Sequence, residues 1–104
     1  MADWREELIA AALQARDAAY APYSHYQVGA ALRTADGRVF TGCNVENAAY
    51  SPSICAAPLA VAKAVAAGAR DFVAVAVATQ SDPPATPCGV CRQVLREFAT
   101  DLEI

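Results

Sequence analysis

The sequence predicts a single α/β domain over residues 1–104, with helices packed on a small mixed sheet. Three observations carry this reading. The chain has 104 residues and is 56% hydrophobic, which suits one core and is too short for two. Its apolar spacing switches between helical and strand periods in the order helix, strand, strand, helix, strand, helix. It contains no internal repeat and no low-complexity tract.

The elements are taken in chain order. DWREELIAAALQARDAAY, residues 3–20, is expected to be an amphipathic helix. Asp3 is its N-cap candidate, with acids in the first turn. Trp4, Leu8, Ala12 and Ala19 fall on one face with Leu13 beside it, and Pro22 stops the run. YQVGAALRT (26–34) reads as a strand, ADGR as a turn around Asp36-Gly37, and VFTGCNVEN (39–47) as the returning strand and its exit, the two strands forming a hairpin. A loop with Asn47, Ser51, Pro52 and Ser53 comes next.

ICAAPLAVAKAVAAG (54–68) is apolar nearly all round, so a buried helix is expected. Pro58 is compatible with it only in the first turn, where a missing N–H loses no bond. Gly68 suits the position just past its end. DFVAVAVAT (71–79) is a continuous apolar strand of the kind buried on both faces. QSDPPATP is a proline-rich loop. CGVCRQVLREFA (88–99) opens another helix, with Val94, Leu95 and Phe98 on its core face, and DLEI reads as the start of a further strand.

Charge narrows the function. The net charge is -3, and the eight Lys and Arg residues are scattered, whereas a nucleic-acid binder needs a clustered basic face. No apolar run reaches the roughly 18 residues of a membrane span. The start, MADWREELIAAALQAR, is acidic and amphipathic rather than a secretion signal. A cytoplasmic protein with neither nucleic-acid nor membrane partners is expected. Four cysteines in that setting point to metal or catalysis rather than disulfides.

PCGVC places Cys88 and Cys91 in a Cys-x-x-Cys pair at a helix start, where the helix dipole stabilises thiolates. Two thiolates at this spacing can grip zinc. The pair alone also fits a redox disulfide or two buried cysteines without a role. Cys55 alters the balance, because it opens a second helix. Two helix N-termini then offer three thiolates with a fourth position open, the pattern of a catalytic zinc.

YSHYQVGAAL, GCNVENAAYS, ICAA and PCGVCRQVLREF, in that order, resemble the small three-cysteine cytidine deaminases from about Asp3 to Phe98. The resemblance implies a three-layer α-β-α fold with helices on both faces of the sheet. It implies one zinc per subunit, held by Cys55, Cys88 and Cys91. It implies that Asn44 and Glu46 hydrogen-bond the ribose. An amide and a carboxylate two apart on a strand do share a face, although a polar strand edge would look the same. Tyr26 stands where the family usually has phenylalanine against the pyrimidine, and core packing is its plainer role. Tyr50 would lie near the pocket wall, Ala56 would offer backbone groups to the pyrimidine, and Gln93 would support the site. Cys43 reads as a small buried hydrophobe, His25 as a loop surface residue, and Arg92 as a structural ion-pair partner. A homo-oligomer, tetramer or dimer, is also implied.

The chain departs from the family at one point above all. The family helix reads Cys-Ala-Glu-Arg, and this one reads Cys55-Ala56-Ala57-Pro58. The glutamate is the family's proton shuttle, and an alanine carries no proton. General acid–base groups contribute roughly 10² to 10⁴ in rate. Pro58 removes an arginine that would offset the net -1 of zinc with three thiolates (2 − 3). Family members also continue for further strands and a short helix, so C-terminal strands are expected to be missing here. FVAVAVA would then be an exposed apolar edge.

The expected function is hydrolytic deamination of cytidine and deoxycytidine, severely impaired by Ala57. The alternatives are a zinc-containing, nucleoside-binding pseudoenzyme and a blasticidin S-type deaminase, the NVEN stretch favouring the plain nucleoside. A thiol redox protein using Cys88 and Cys91 is the remaining possibility, and Cys55 counts against it.

Overall fold

The computed structural model describes residues 3–49, 53–79, 94 and 104. The element order is α1 (Trp4–Arg16), β1 (Gly29–Thr34), β2 (Val39–Cys43), α2 (Ala56–Ala66) and β3 (Phe72–Ala78). The expected final helix and final strand lie outside the described residues, Val94 and Ile104 excepted.

The three strands form one sheet in the order β2-β1-β3. Both pairings are antiparallel, with Ala31 opposite Thr41 on one side and Ala76 on the other. Among the described residues the sheet is therefore antiparallel rather than mixed.

Side-chain alternation makes β1 the centre of the core. Ala30 and Leu32 face α2 and pack with Ala56, Ala57, Ala60, Val61 and Ala64. Ala31 faces α1 and packs with Leu8, Ala12, Ala74 and Ala78. Helices thus cover both faces, as expected for an α-β-α stack. Val94, which is helical, packs on the α2 side, in keeping with its expected core role.

Each helix lies close to the sheet because a glycine lets it. A Cβ on Gly29 would sit 2.1 Å from the carbonyl oxygen of Ala12 in α1, and one on Gly42 would sit 2.3 Å from that of Ala56 in α2. The alanine-rich face of α2 extends this close contact along the helix, with Ala60 and Ala64 fully buried.

The strand β3 does not keep one alternation throughout. Arg33 pairs with Ala74 but Thr34 pairs with Phe72, so Val73 is an extra residue in a β-bulge. The bulge turns Phe72 onto the α2 face with Val75 and leaves Val73 exposed. The sequence run looked uniformly buried because hydrophobicity alone does not reveal a bulge.

Three boundaries are shorter than the periodicity predicts. The first helix stops at Arg16 because Tyr20 leaves to bridge Val45, donating its N–H to the Asn44 carbonyl at 3.0 Å. Ala19 consequently lies outside the helix, and Leu13 is exposed. β1 starts at Gly29 because Tyr26 and Val28 bond the Asn44 side chain instead. β2 ends at Cys43, which is half-buried rather than buried.

Local chemistry agrees at the caps and the turn. Asp3 caps α1. The turn at Gly37, with φ 88°, closes the hairpin. α2 ends in a Schellman motif: Gly68 donates to the Val65 carbonyl at 2.9 Å and Ala69 to that of Ala64 at 2.9 Å. Pro58 is the third residue of α2, within the turn that tolerates it.

Candidate functional site

The predicted site residues that lie among the described ones, Tyr26, Asn44, Glu46, Cys55, Ala56 and Ala57, converge at one end of the sheet. Beyond Cys43 the chain runs on through Asn44, Val45 and Glu46, held from both sides. Glu46 donates its N–H to the Tyr20 carbonyl at 2.9 Å, and Val45 and Ile54 exchange both backbone bonds at 2.8 Å. The Val45–Ile54 bridge delivers Cys55, the next residue, to this end of the sheet as the N-cap of α2. Three segments thus meet: the 20–28 loop, residues 44–46, and the start of α2.

Asn44 and Glu46 both turn toward the 20–28 loop. Asn44 Oδ1 accepts the Val28 N–H at 2.9 Å, and Nδ2 donates to the Tyr26 carbonyl at 2.9 Å. Glu46 Oε1 accepts the N–H groups of Tyr23 and Ser24, each at 3.1 Å, and Oε2 accepts the Ser24 hydroxyl. The Ser24 Oγ in turn accepts the Tyr26 N–H at 3.1 Å. The Ser24 hydroxyl bond holds the Glu46 carboxyl below its ordinary value. The N–H groups of Ser24 and Tyr23 and the nearby His25 act in the same direction, against a smaller opposing effect of burial. His25 itself is an exposed loop residue, as expected, and takes φ 58° to close this turn.

The opening of α2 supplies the other half. Cys55 is exposed and carries a thiol rather than a disulfide. Its carbonyl accepts the Leu59 N–H at 3.2 Å. Helix geometry leaves the N–H groups of Ala56 and Ala57 without an intrahelical acceptor, so they are donors at the helix mouth. The Ala56 carbonyl is pressed on Gly42, leaving its N–H as the group suited to a ligand. Ala57 is 4% exposed, so its methyl group is covered by the core that α2 makes with the sheet.

A thiolate at a helix N-terminus is a donor suited to zinc. Among the described residues no three His, Cys, Asp or Glu side chains come together as a metal site. Of the three cysteines predicted to hold zinc, Cys55 is the one among the described residues. Cys88, Cys91, Tyr50, Gln93 and Arg92 lie outside the described residues. Tyr26, Asn44, Glu46, Cys55, Ala56 and Ala57 all lie on the three converging segments. Ser24, which the motifs did not single out, bonds both Glu46 and Tyr26, and a loop serine whose hydroxyl accepts the N–H two residues on is a recurring turn-forming signal.

Known proteins resemble this chain in sequence and fold. The family model described as the cytidine and deoxycytidylate deaminase zinc-binding region matches residues 2–102. A cytidine deaminase of Sporosarcina psychrophila is 52% identical over 93 residues, covering 89% of this chain and 68% of its own length. The crystal structure of a cytidine deaminase from Burkholderia pseudomallei superposes with a TM-score of 0.86 at 54% identity, over 89% of this chain and 75% of its own. That of Mycobacterium tuberculosis gives 0.85 at 43% identity, over 94% and 79%. The chain belongs to the zinc-binding cytidine and deoxycytidylate deaminase family.

Proposed function

We propose that this chain forms the nucleoside and zinc site of a cytidine deaminase but lacks the proton shuttle, so that it binds cytidine and turns it over poorly. The observation that carries this reading is the meeting of Tyr26, Asn44, Glu46 and Cys55 at the mouth of α2, with alanine at position 57 beside them.

Cys55, Cys88 and Cys91 would hold one zinc per subunit through thiolates. When bound, zinc supplies Lewis acidity for hydrolysis at the carbon bearing the amine. The chain's own residues do the rest. Asn44 and Glu46 receive the ribose, each retaining unused hydrogen-bonding capacity for it. Tyr26 and Tyr50 flank the pyrimidine. The Ala56 N–H offers it a donor. Ala57 can neither take up nor deliver a proton, which is the reason to expect binding without efficient turnover. The subunits assemble as a homo-oligomer, dimer or tetramer.

A glutamate at position 57 would stand where the methyl is now almost fully covered. Burial raises a carboxyl's pKa, the tuning a proton shuttle near neutral pH requires. Cytidine turnover by zinc-quantified protein, beside the Ala57→Glu/Pro58→Arg variant, tests the proposal. The expected gain for the variant is roughly 10²-fold or more. Equal rates in the two proteins would refute the assignment of position 57.

A further inference from the structure

The two side chains assigned to the ribose have a second set of partners, and these partners surround one residue. The Tyr26 N–H is held by the Ser24 hydroxyl, which is itself held by Glu46. The Tyr26 carbonyl is held by Asn44 Nδ2. The next amide but one, Val28, is held by Asn44 Oδ1. Asn44 and Glu46 therefore grip the backbone on both sides of Tyr26, one directly and one through Ser24.

We infer that Asn44, Glu46 and Ser24 form a clamp that positions Tyr26, and that Ser24 is a positioning residue for the nucleoside site although it need not touch the nucleoside. For its ligand the inference rests on the nucleoside-binding reading given above.

Hydrogen-bond capacity lets the clamp and the ribose coexist. A carboxylate offers about four lone-pair sites, and an amide two donors and two acceptors. Glu46 uses three of its sites in the loop. Asn44 uses one donor and one acceptor through its side chain. A ribose hydroxyl can add to each group without displacing the loop. Binding then tightens the same residues that hold Tyr26, so ligand affinity and loop order are linked.

The clamp also explains the backbone of His25. Bringing the Ser24 hydroxyl between Glu46 and the Tyr26 amide demands a reversal within one residue, and His25 makes it at φ 58°. A non-glycine residue in that region is uncommon and requires surroundings that hold it there. Its own N–H donates to the Ala21 carbonyl at 3.0 Å, and the bonds on either side, from Ser24 N–H to Glu46 and from Tyr26 N–H to Ser24 Oγ, complete those surroundings.

The experiment compares the zinc-loaded chain with Ser24→Ala and Ser24→Thr, reading amide exchange by NMR and cytidine affinity by calorimetry. Ser24→Ala removes the bridge and keeps the amide bonds to Glu46. The Tyr26 amide should exchange at least about threefold faster while that of Val28 is unchanged, as expected for loss of one net hydrogen bond. Cytidine should bind about threefold to tenfold more weakly, and Ser24→Thr should restore both. Unchanged Tyr26 exchange in Ser24→Ala would overturn the clamp. Affinity within twofold of the parent would overturn the positioning role. If the parent itself fails to bind cytidine, the functional reading falls instead, and the exchange comparison still decides the clamp.

Discussion

Glu46 carries more of the site than any other described side chain, and its protonation state is set by the loop it holds. Three donors aim at one carboxylate, and its pKa lies below the ordinary 4.5. A group whose pKa is lowered on folding contributes fully above its unfolded value and loses that contribution as pH falls through the lowered value. The latch should therefore be constant from neutral pH down to about 5 and open only below 4.5. The Tyr23 and Ser24 amide resonances should move together across that acid transition. Glu46→Gln keeps an acceptor but does not titrate, and should abolish the transition. That Asn44 and Glu46 face the same side was legible in NVE, because strand alternation puts both there. Their loop partners were not, since Ser24 is 22 positions from Glu46 and no local pattern links the two.

At the scale of elements, the position of α2 depends on a strand residue. A Cβ on Gly42 would meet the Ala56 carbonyl at 2.3 Å and the Ala60 nitrogen at 2.7 Å. Both are backbone atoms that cannot turn aside, so Gly42→Ala must push α2 away. The expected cost is about 3 kcal/mol, the upper part of the range for overpacking, with reduced zinc retention because Cys55 moves with the helix. Gly68→Ala is the contrast. Nothing lies within 4 Å of its Cβ site, but φ is 89°, so the cost is about 1 kcal/mol and zinc retention is unaffected. Urea denaturation beside zinc quantification separates the two effects. Both hairpin strands and both described helices were legible from spacing, as were the Asp3 cap and the Gly68 stop, but the end of α1, the start of β1 and the end of β2 were not. Tyr20 and Val28 obey tertiary partners rather than their local period. The bulge at Val73 leaves no trace in a run of valines and alanines.

For the molecule as a whole, metal and fold are expected to be coupled. Cys55 reaches its position from β2 and α2, whereas Cys88 and Cys91 are far along the chain, so one zinc would tie distant parts together. Chelation should lower the thermal midpoint by several degrees, and Cys55→Ser should reproduce that loss in the untreated protein. Native mass spectrometry reads zinc per subunit and the number of subunits in the same spectrum, one zinc per subunit in a dimer or tetramer being the expected result. No described helix is long and apolar enough to cross a membrane. The family was legible because four motifs occur in order. The three-cysteine zinc site was proposed from the same motifs, and of its three cysteines Cys55 lies among the described residues.

The Val45–Ile54 bridge has a consequence for how such a domain can vary. It fastens the chain on either side of residues 46–53, and the contact of Gly42 with Ala56 pins the start of α2. The length of chain between these fastened ends is uncoupled from Cys55, the proposed zinc ligand that follows. Lengthening a loop whose ends are already joined costs little, growing only with the logarithm of its length. Insertions between Ala49 and Ser53, inside the bonds from Asn47 to Ala49 and Ser53, should therefore leave Cys55 in register. This stretch can change in length during divergence while the entry of the chain into α2 stays fixed.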